Sequence, residues 1–230
     1  MNAILEALRW FGEPAQWSGP DGIPHRIGEH LLYSGLAFLI TVLVALPLGL
    51  LLGHVRRGRA ASVLGFAVVA AANGARALPT LGLVILAVIL TASELVPILL
   101  PLIVLAIPPV LVNAYTGVQQ VEPWLRDAAE GMGMTGRQVL WRVEFPVALP
   151  LVLLGLRTAA VQIVSTAAIA AFVGLGGLGR YIIDGLARQE YDTTAGGAIL
   201  VIALAFAVQA AFALLYRLAV SPGLRRSTAS

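Results

Sequence analysis

Two arginines lie inside long apolar stretches, Arg76 and Arg157, and they are the first candidates for binding chemistry. A charge in such surroundings is costly, so it usually faces protein, water or a ligand. Arg76 could bind the carboxylate of a small zwitterion, although a structural role is the favoured alternative. Arg157 follows Pro146 by only eleven residues and could extend its head group toward water. The residues predicted to line a translocation pathway are Arg76, Pro79, Thr80, Asn113 and Tyr115.

No set of residues has the spacing of a catalytic or metal centre. The chain has no cysteine, which excludes disulfides, cysteine nucleophiles and cysteine metal sites. Its three histidines, His25, His30 and His54, have no second ligand nearby in sequence. There is no Ser-His-Asp spacing, and no glycine-rich loop with the Lys that cradles nucleotide phosphates. We therefore expect a chain that is not an enzyme and holds no cofactor or metal.

One glycine pattern matches a nucleotide-binding motif by spacing alone. Gly174, Gly176 and Gly179 fit the dinucleotide fingerprint, but the pattern is not enclosed by the strand and helix that such a site needs. A glycine turn at the end of an apolar segment is the simpler interpretation. A flexible gate beside a pathway is the functional alternative.

The elements that position these residues are apolar helices. Hydrophobic residues make up 59% of the chain and charged residues 12%, with a mean hydropathy of +0.89, and about twice that charged share is usual in soluble domains. The apolar blocks are long enough to span a membrane. We predict an all-α polytopic bundle, residues 29–220, with five spans at about 29–54, 60–90, 94–120, 148–173 and 195–219. The second span is broken near Pro79, and two short spans are its alternative.

Arginines predict the orientation of this bundle. All basic residues are arginine, and most flank apolar blocks; the formal charge of +3 therefore indicates topology signals and not nucleic-acid binding. An extracytoplasmic N-terminal segment, 1–28, and a cytoplasmic tail, 221–230, place nine arginines inside and four outside. A sixth span would spoil this asymmetry. The prediction is N-out and C-in, in a cell membrane and in contact with lipid.

The polar segment 121–146 is predicted to be a helix-turn-helix at the cytoplasmic surface. Pro123 suits the first turn of a helix, and Gly131 and Gly133 suit its end. Thr135 and Gln138 have the spacing of a capping box that opens a second short helix. Pro146 is expected to end that second helix.

This segment resembles the EAA loop of permeases in bacterial ATP-binding-cassette importers. The family pattern is Glu-Ala-Ala, three residues, Gly, nine residues, then Ile-x-Leu-Pro. The chain has Asp127-Ala128-Ala129, then Gly133, then Val143, Phe145 and Pro146 at the same spacings, with Asp, Val and Phe as departures. Other stretches, among them 75–86, 113–123, 149–159 and 172–191, are similar to the glycine betaine, carnitine and choline branch of the methionine-importer-like permeases.

The resemblance implies a function and a set of partners. The chain would be the membrane subunit of an importer for an osmoprotectant, working by alternating access. ATP and magnesium would be bound by a separate cytoplasmic ATPase dimer, and a second permease and an extracytoplasmic binding protein would complete the assembly. The residues expected to dock the ATPase are Trp124, Leu125, Asp127, Ala128, Ala129, Glu130, Gly131, Gly133, Val143, Phe145 and Pro146.

Two other functional classes and one other kind of substrate stay open from the sequence. The substrate of the permease could be a different small solute, such as an amino acid. One other class is a secondary transporter or channel without an ATPase. The absence of acidic residues at membrane depth argues against coupling to protons or sodium. The other is a membrane assembly subunit that uses the polar loop as a docking site.

Overall fold

The structure, a computed structural model, describes residues 8–55, 59–75, 77–93 and 95–221. Within these ranges all regular structure is helical, which confirms the predicted all-α class. The helices, in chain order, are α1 Ile23–His54, α2 Arg59–Ala75, α3 Thr80–Leu90, α4 Val96–Gln119, α5 Pro123–Gly131, α6 Gly136–Val139, α7 Phe145–Ala167, α8 Gly179–Arg188 and α9 Tyr191–Ala219. A π turn, Leu140–Glu144, joins α6 to α7, and 3-10 turns cover Pro14–Trp17 and Ala168–Val173.

Four helical stretches among the described residues are long and apolar enough to cross a membrane. They are Ile23–His54, Val96–Gln119, Gly136–Val173 and Tyr191–Ala219, in the places of the predicted first, third, fourth and fifth spans. The predicted second span, 60–90, is divided into α2 and α3 by a break just before Pro79. Pro79 cannot donate a backbone hydrogen bond, and its φ of −64° with ψ of 118° places it outside a helix. The total of five spans stays a prediction.

The prediction that Pro146 ends a separate surface helix was wrong. The chain stays helical from α6 through the π turn into α7, so Pro146 lies in the first turn of a long helix. The widened π turn explains why the helix tolerates Pro146: the N–H of Phe145 bonds to the carbonyl of Leu140, five residues back. In a regular helix a proline ring clashes with the carbonyl four residues upstream. The five-residue spacing moves the preceding carbonyls away from the ring.

The chain folds as two compact units. Unit 1 is formed by residues of 1–39, 78–103 and 160–209, and unit 2 by residues of 40–77, 104–159 and 210–230. The core of unit 2 is a buried apolar cluster from α1, α4, the π turn and α7: Leu50, Ala114, Val118, Leu140, Ala148 and Val152.

Glycines allow α1 to pack closely on α4 in unit 2. Gly49 and Gly53 lie one helical turn apart, and a Cβ at Gly49 would be 2.6 Å from the carbonyl oxygen of Leu111. A Cβ at Gly53 would be 2.7 Å from the Cβ of Val118. This is the small-residue spacing that brings transmembrane helices into backbone contact. The two glycines therefore fix the position of the α4 end that precedes α5.

Unit 1 is organised around two aromatic rings and a glycine loop, residues 174–179. Trp10 and Tyr181 pack edge to face at 5.1 Å and form a buried cluster with Ile23 and Leu178. The predicted polar loop after the glycines contains a helix, α8, and its Tyr181 hydroxyl donates to the carbonyl of Asp21. Burial raises the pKa of the Tyr181 phenol above its usual value.

Candidate functional site

Helix α5 is short, and both of its ends are determined by local sequence. Pro123 occupies the first turn, where its missing N–H costs nothing. At the other end Gly133 has a φ of +81°, a left-handed conformation that glycine adopts without steric cost. The N–H of Gly133 donates to the carbonyl of Glu130, and the N–H of Met134 donates to the carbonyl of Ala129. These two bonds make a Schellman motif, which turns the chain sharply after α5.

The predicted capping box opens the next helix. Thr135 is the N-cap of α6, and its backbone N–H donates to Oε1 of Gln138 at 2.8 Å. The cap satisfies a donor at the helix start that has no partner within the helix. The turn between α5 and α6 is therefore held on one side by the backbone bonds of the Schellman motif and on the other by the side chain of Gln138.

Most of the residues predicted to dock a partner share the exposed face of α5. Trp124 is 66% exposed and Met132, just past the helix end, is 72% exposed. Large apolar side chains at such positions are candidates for anchors in a protein interface. The other exposed residues of this face are Asp127, Ala128, Glu130, Gly131 and Gly133, and Leu125 is half-buried.

The remaining predicted docking residues lie elsewhere. Ala129 is only 1% exposed, and it faces the bundle because it is on the opposite side of α5 from Trp124. Val143 and Phe145 are half-buried at the junction of the π turn and α7. Phe145 packs on the core of unit 2 and lies 5.3 Å from the ring of Trp141. Pro146 is exposed. The predicted set thus divides into one exposed face of α5 and a second group, most of it buried or half-buried, that lies outside this face.

A buried charge cluster lies under α5, and the sequence interpretation missed it. Glu144 is 1% exposed; its Oε1 is 2.9 Å from Nε of Arg126, and its Oε2 is 2.7 Å from Nδ1 of His54. Arg126 also donates from Nη2 to the carbonyl of Val118 at 2.6 Å. The available signal was Glu144 itself: an acidic residue between Val143 and Phe145, at the start of a span, needs a partner.

The predicted pathway residues belong to different parts of the chain, and their role stays a prediction. Arg76 lies outside the described residues. Pro79 is the residue before α3 and Thr80 is its first residue, both in unit 1. Asn113 and Tyr115 are in unit 2, where the amide of Asn113 donates to the carbonyl of Pro109 at 2.7 Å.

The glycine loop of unit 1 is held by two side chains of α1. Gly174 and Gly177 have φ of +83° and +88°, so both use the left-handed conformation. The N–H of Gly177 donates to Oε2 of Glu29 at 2.8 Å. The Nε2 of His30 lies 2.9 Å from the carbonyl of Val164, and its Nδ1 lies 3.4 Å from the N–H of Leu178. The loop follows a 3-10 turn and no strand, unlike a dinucleotide site.

Comparison with known families gives a match over most of the chain. A family model described as the binding-protein-dependent transport system inner membrane component matches residues 45–226. The matched region begins within α1 and includes α5, the π turn and the glycine loop.

Curated relatives match over similar lengths. The glycine betaine/carnitine/choline transport system permease protein OpuCB of Bacillus subtilis is 34% identical over 87% of this chain and 90% of its own length. A carnitine transport permease of Listeria monocytogenes is 33% identical, with 83% and 85% covered. The osmoprotectant import permease OsmW of Salmonella typhimurium is 32% identical, with 77% and 82% covered.

Solved structures show the same fold. A chain of the MetNI methionine ABC transporter, in an inward-facing conformation, superposes with a TM-score of 0.76 at 24% identity, covering 91% of this chain and 99% of that chain. A chain of an amino acid ABC transporter superposes with a TM-score of 0.61 at 20% identity.

Proposed function

The chain belongs to the family of binding-protein-dependent transport system inner membrane components, and on that premise we propose that it is the permease of an osmoprotectant importer. A separate cytoplasmic ATPase would drive it, and the chain itself would carry out no covalent chemistry. The observation that carries the proposal is the exposed face of α5. It offers Trp124 and Met132 as apolar anchors, with Asp127 and Glu130 between them.

The shape and charge of α5 suit a cleft on an ATPase. A nine-residue helix held by a proline at one end and a Schellman motif at the other presents a rigid surface. Rigid surfaces lose little entropy on binding. Asp127 has the charge of the family's glutamate on a shorter arm, so its partner on the ATPase must approach more closely. Charges around the anchors would set the orientation of the complex.

The proposed solute is a small compatible solute with a quaternary ammonium group. Permeases named for glycine betaine, carnitine and choline transport are 33–34% identical to this chain over more than four fifths of its length. Aromatic cages bind such cations through cation–π attraction. Aromatic residues make up only 7% of this chain, so we place the cage on an extracytoplasmic binding protein.

The proposed mechanism is alternating access between two permease bundles. The second bundle would be an identical or a homologous chain, with the solute path between the two. ATP and magnesium would bind to the ATPase dimer, and closure of that dimer would move α5 and the helices joined to it. Hydrolysis would return the transporter to the inward-open state. With the predicted N-out orientation, α5 would lie in the cytoplasm, on the same side as the ATPase.

Uptake into vesicles tests this function. The complete complex is reconstituted in liposomes with its ATPase, second permease and binding protein, and uptake of radiolabelled glycine betaine is measured with and without ATP. We expect uptake that needs ATP and stops when the ATPase partner carries an inactivated catalytic site. Choline and carnitine, and methionine as an unrelated solute, define the specificity. Uptake that continues with the inactive ATPase would refute the importer assignment.

A further inference from the structure

We propose that Glu144 is the joint through which movement of α5 reaches the membrane helices of unit 2. Glu144 would act as a positioning residue and would touch neither solute nor nucleotide. The inference rests on the proposed function, because it concerns how the ATPase moves the permease.

Helix α5 has little buried apolar surface. Its two buried residues are Arg126 and Ala129, and the alanine contributes only a methyl group. Arg126 is therefore the larger of the two side chains that α5 buries. The guanidinium is held on two sides, by Oε1 of Glu144 at 2.9 Å and by the carbonyl of Val118 at 2.6 Å.

The charge cluster also joins the ends of several helices. Val118 is in the last turn of α4, His54 is the last residue of α1, and Glu144 is the residue before α7. Both carboxylate oxygens of Glu144 are occupied, one by Arg126 and the other by His54. A displacement of α5 is therefore transmitted through one buried carboxylate to α1 and α7, and through Arg126 to α4.

The backbone at Glu144 departs from a regular α-helix. It is the last residue of the π turn, and such turns occur as local widenings of helices, frequently at functional sites. An open pocket of about 620 Å³ lies beside the cluster, lined by Asp127, Glu130 and Met134 among others. The backbone at the joint and the space beside it allow α5 to shift without repacking the core.

A buried ion pair is also the right kind of connection for this task. Separating the two charges would leave an uncompensated buried charge, which is strongly unfavourable. The Arg126–Glu144 pair therefore resists separation when α5 moves, whereas the small apolar contact of Ala129 would resist it much less. Burial at 1% exposure also places Glu144 away from the face that meets the ATPase.

The test measures uptake and ATP hydrolysis in the same vesicles, with the complete complex. Glu144→Gln keeps the size of the side chain and removes its charge. Mutations along a coupling network typically change the coupling by about 2–30-fold, so we expect uptake per ATP to fall several-fold. The amount of ATPase that co-purifies should stay at the wild-type value, because the exposed face of α5 is unchanged.

Two further variants make the result specific. Arg126→Met should give the same loss, and the double variant should lose no more than either single one, since residues of one network are not additive. Arg142→Gln is the matched control: it neutralises an exposed charge in the same π turn and should leave uptake per ATP unchanged.

Three outcomes would overturn the inference. They are wild-type uptake per ATP in Glu144→Gln, a parallel loss of co-purified ATPase, and failure of that variant to assemble. The last two would make the cluster a docking or folding element. The proposed function fails separately, through absence of ATP-dependent uptake in the wild-type vesicles.

Discussion

A methyl group added at Gly49 should destabilise unit 2 measurably. Its Cβ would lie 2.6 Å from the carbonyl oxygen of Leu111 and 2.8 Å from the Cβ of Ala114, whereas ordinary contact begins at 3.4 Å. Both of these atoms are fixed to α4, so neither can rotate away. Gly49→Ala must therefore push α1 and α4 apart.

The magnitude follows from comparison with a second glycine of α1. Adding a methyl to a well-packed core costs about 1–3 kcal/mol, while replacing Gly by Ala inside a helix gains about 1 kcal/mol. At Gly35 a Cβ has nothing within 4 Å, so Gly35→Ala has the favourable change in helix propensity without a steric cost. Because both variants have that favourable change, it cancels when they are compared. The free energy of unfolding of Gly49→Ala should therefore be lower than that of Gly35→Ala by about 1–3 kcal/mol.

Thermal unfolding of the two purified variants in detergent measures this difference. For a chain of this size each kcal/mol corresponds to roughly 2–4 °C in Tm, so Gly49→Ala should melt several degrees below Gly35→Ala. Equal melting temperatures, or a higher value for Gly49→Ala, would show that α1 and α4 do not cross at this glycine.

Three further substitutions test the docking face and the two turns. Trp124→Ala removes an exposed anchor of α5 and should weaken ATPase binding at least tenfold, as loss of an interface hot spot does, measured by surface binding to nanodiscs. Gly133→Ala puts a side chain on a residue in the left-handed conformation and should lower the free energy of unfolding by about 1–2 kcal/mol. The measurement compares its Tm with that of Gly131→Ala. Gly176→Ala would place its Cβ within 2.4 Å of the Glu29 carboxylate, so protease should cleave residues 174–179 faster.

Each of these three predictions can be contradicted by its own measurement. Unchanged affinity of Trp124→Ala would remove α5 from the interface. Equal stability of the alanine variants at 133 and 131 would contradict the Schellman geometry. Wild-type cleavage in Gly176→Ala would mean that Glu29 does not hold the loop.

The sequence predicts the helices and the turns around α5 because both depend on local patterns. Apolar blocks of span length and the proline, glycine and capping residues around α5 act within a few residues of themselves. The left-handed Gly133 and the cap at Thr135 were therefore found where the sequence placed them.

The features that the sequence did not predict depend on distant residues or on backbone detail. Glu144 and His54 are ninety positions apart, and no local pattern links them to Arg126. Pro146 predicts a helix end because proline usually breaks a regular helix. The π turn that accommodates Pro146 has no clear sequence pattern. The spacing of Gly49 and Gly53 was available, but its meaning depends on which helix lies opposite.

The side of the membrane on which α5 lies is the central claim. Because the chain has no cysteine, single cysteines at Met132 and at Ala187, both exposed, can be labelled with a membrane-impermeant maleimide. In cells whose plasma membrane is intact and whose outer envelope admits the reagent, we predict labelling of Ala187→Cys alone. In inverted membrane vesicles we predict labelling of Met132→Cys, and bound ATPase should protect that cysteine from the reagent. Labelling of Met132→Cys from outside the cell would contradict the account.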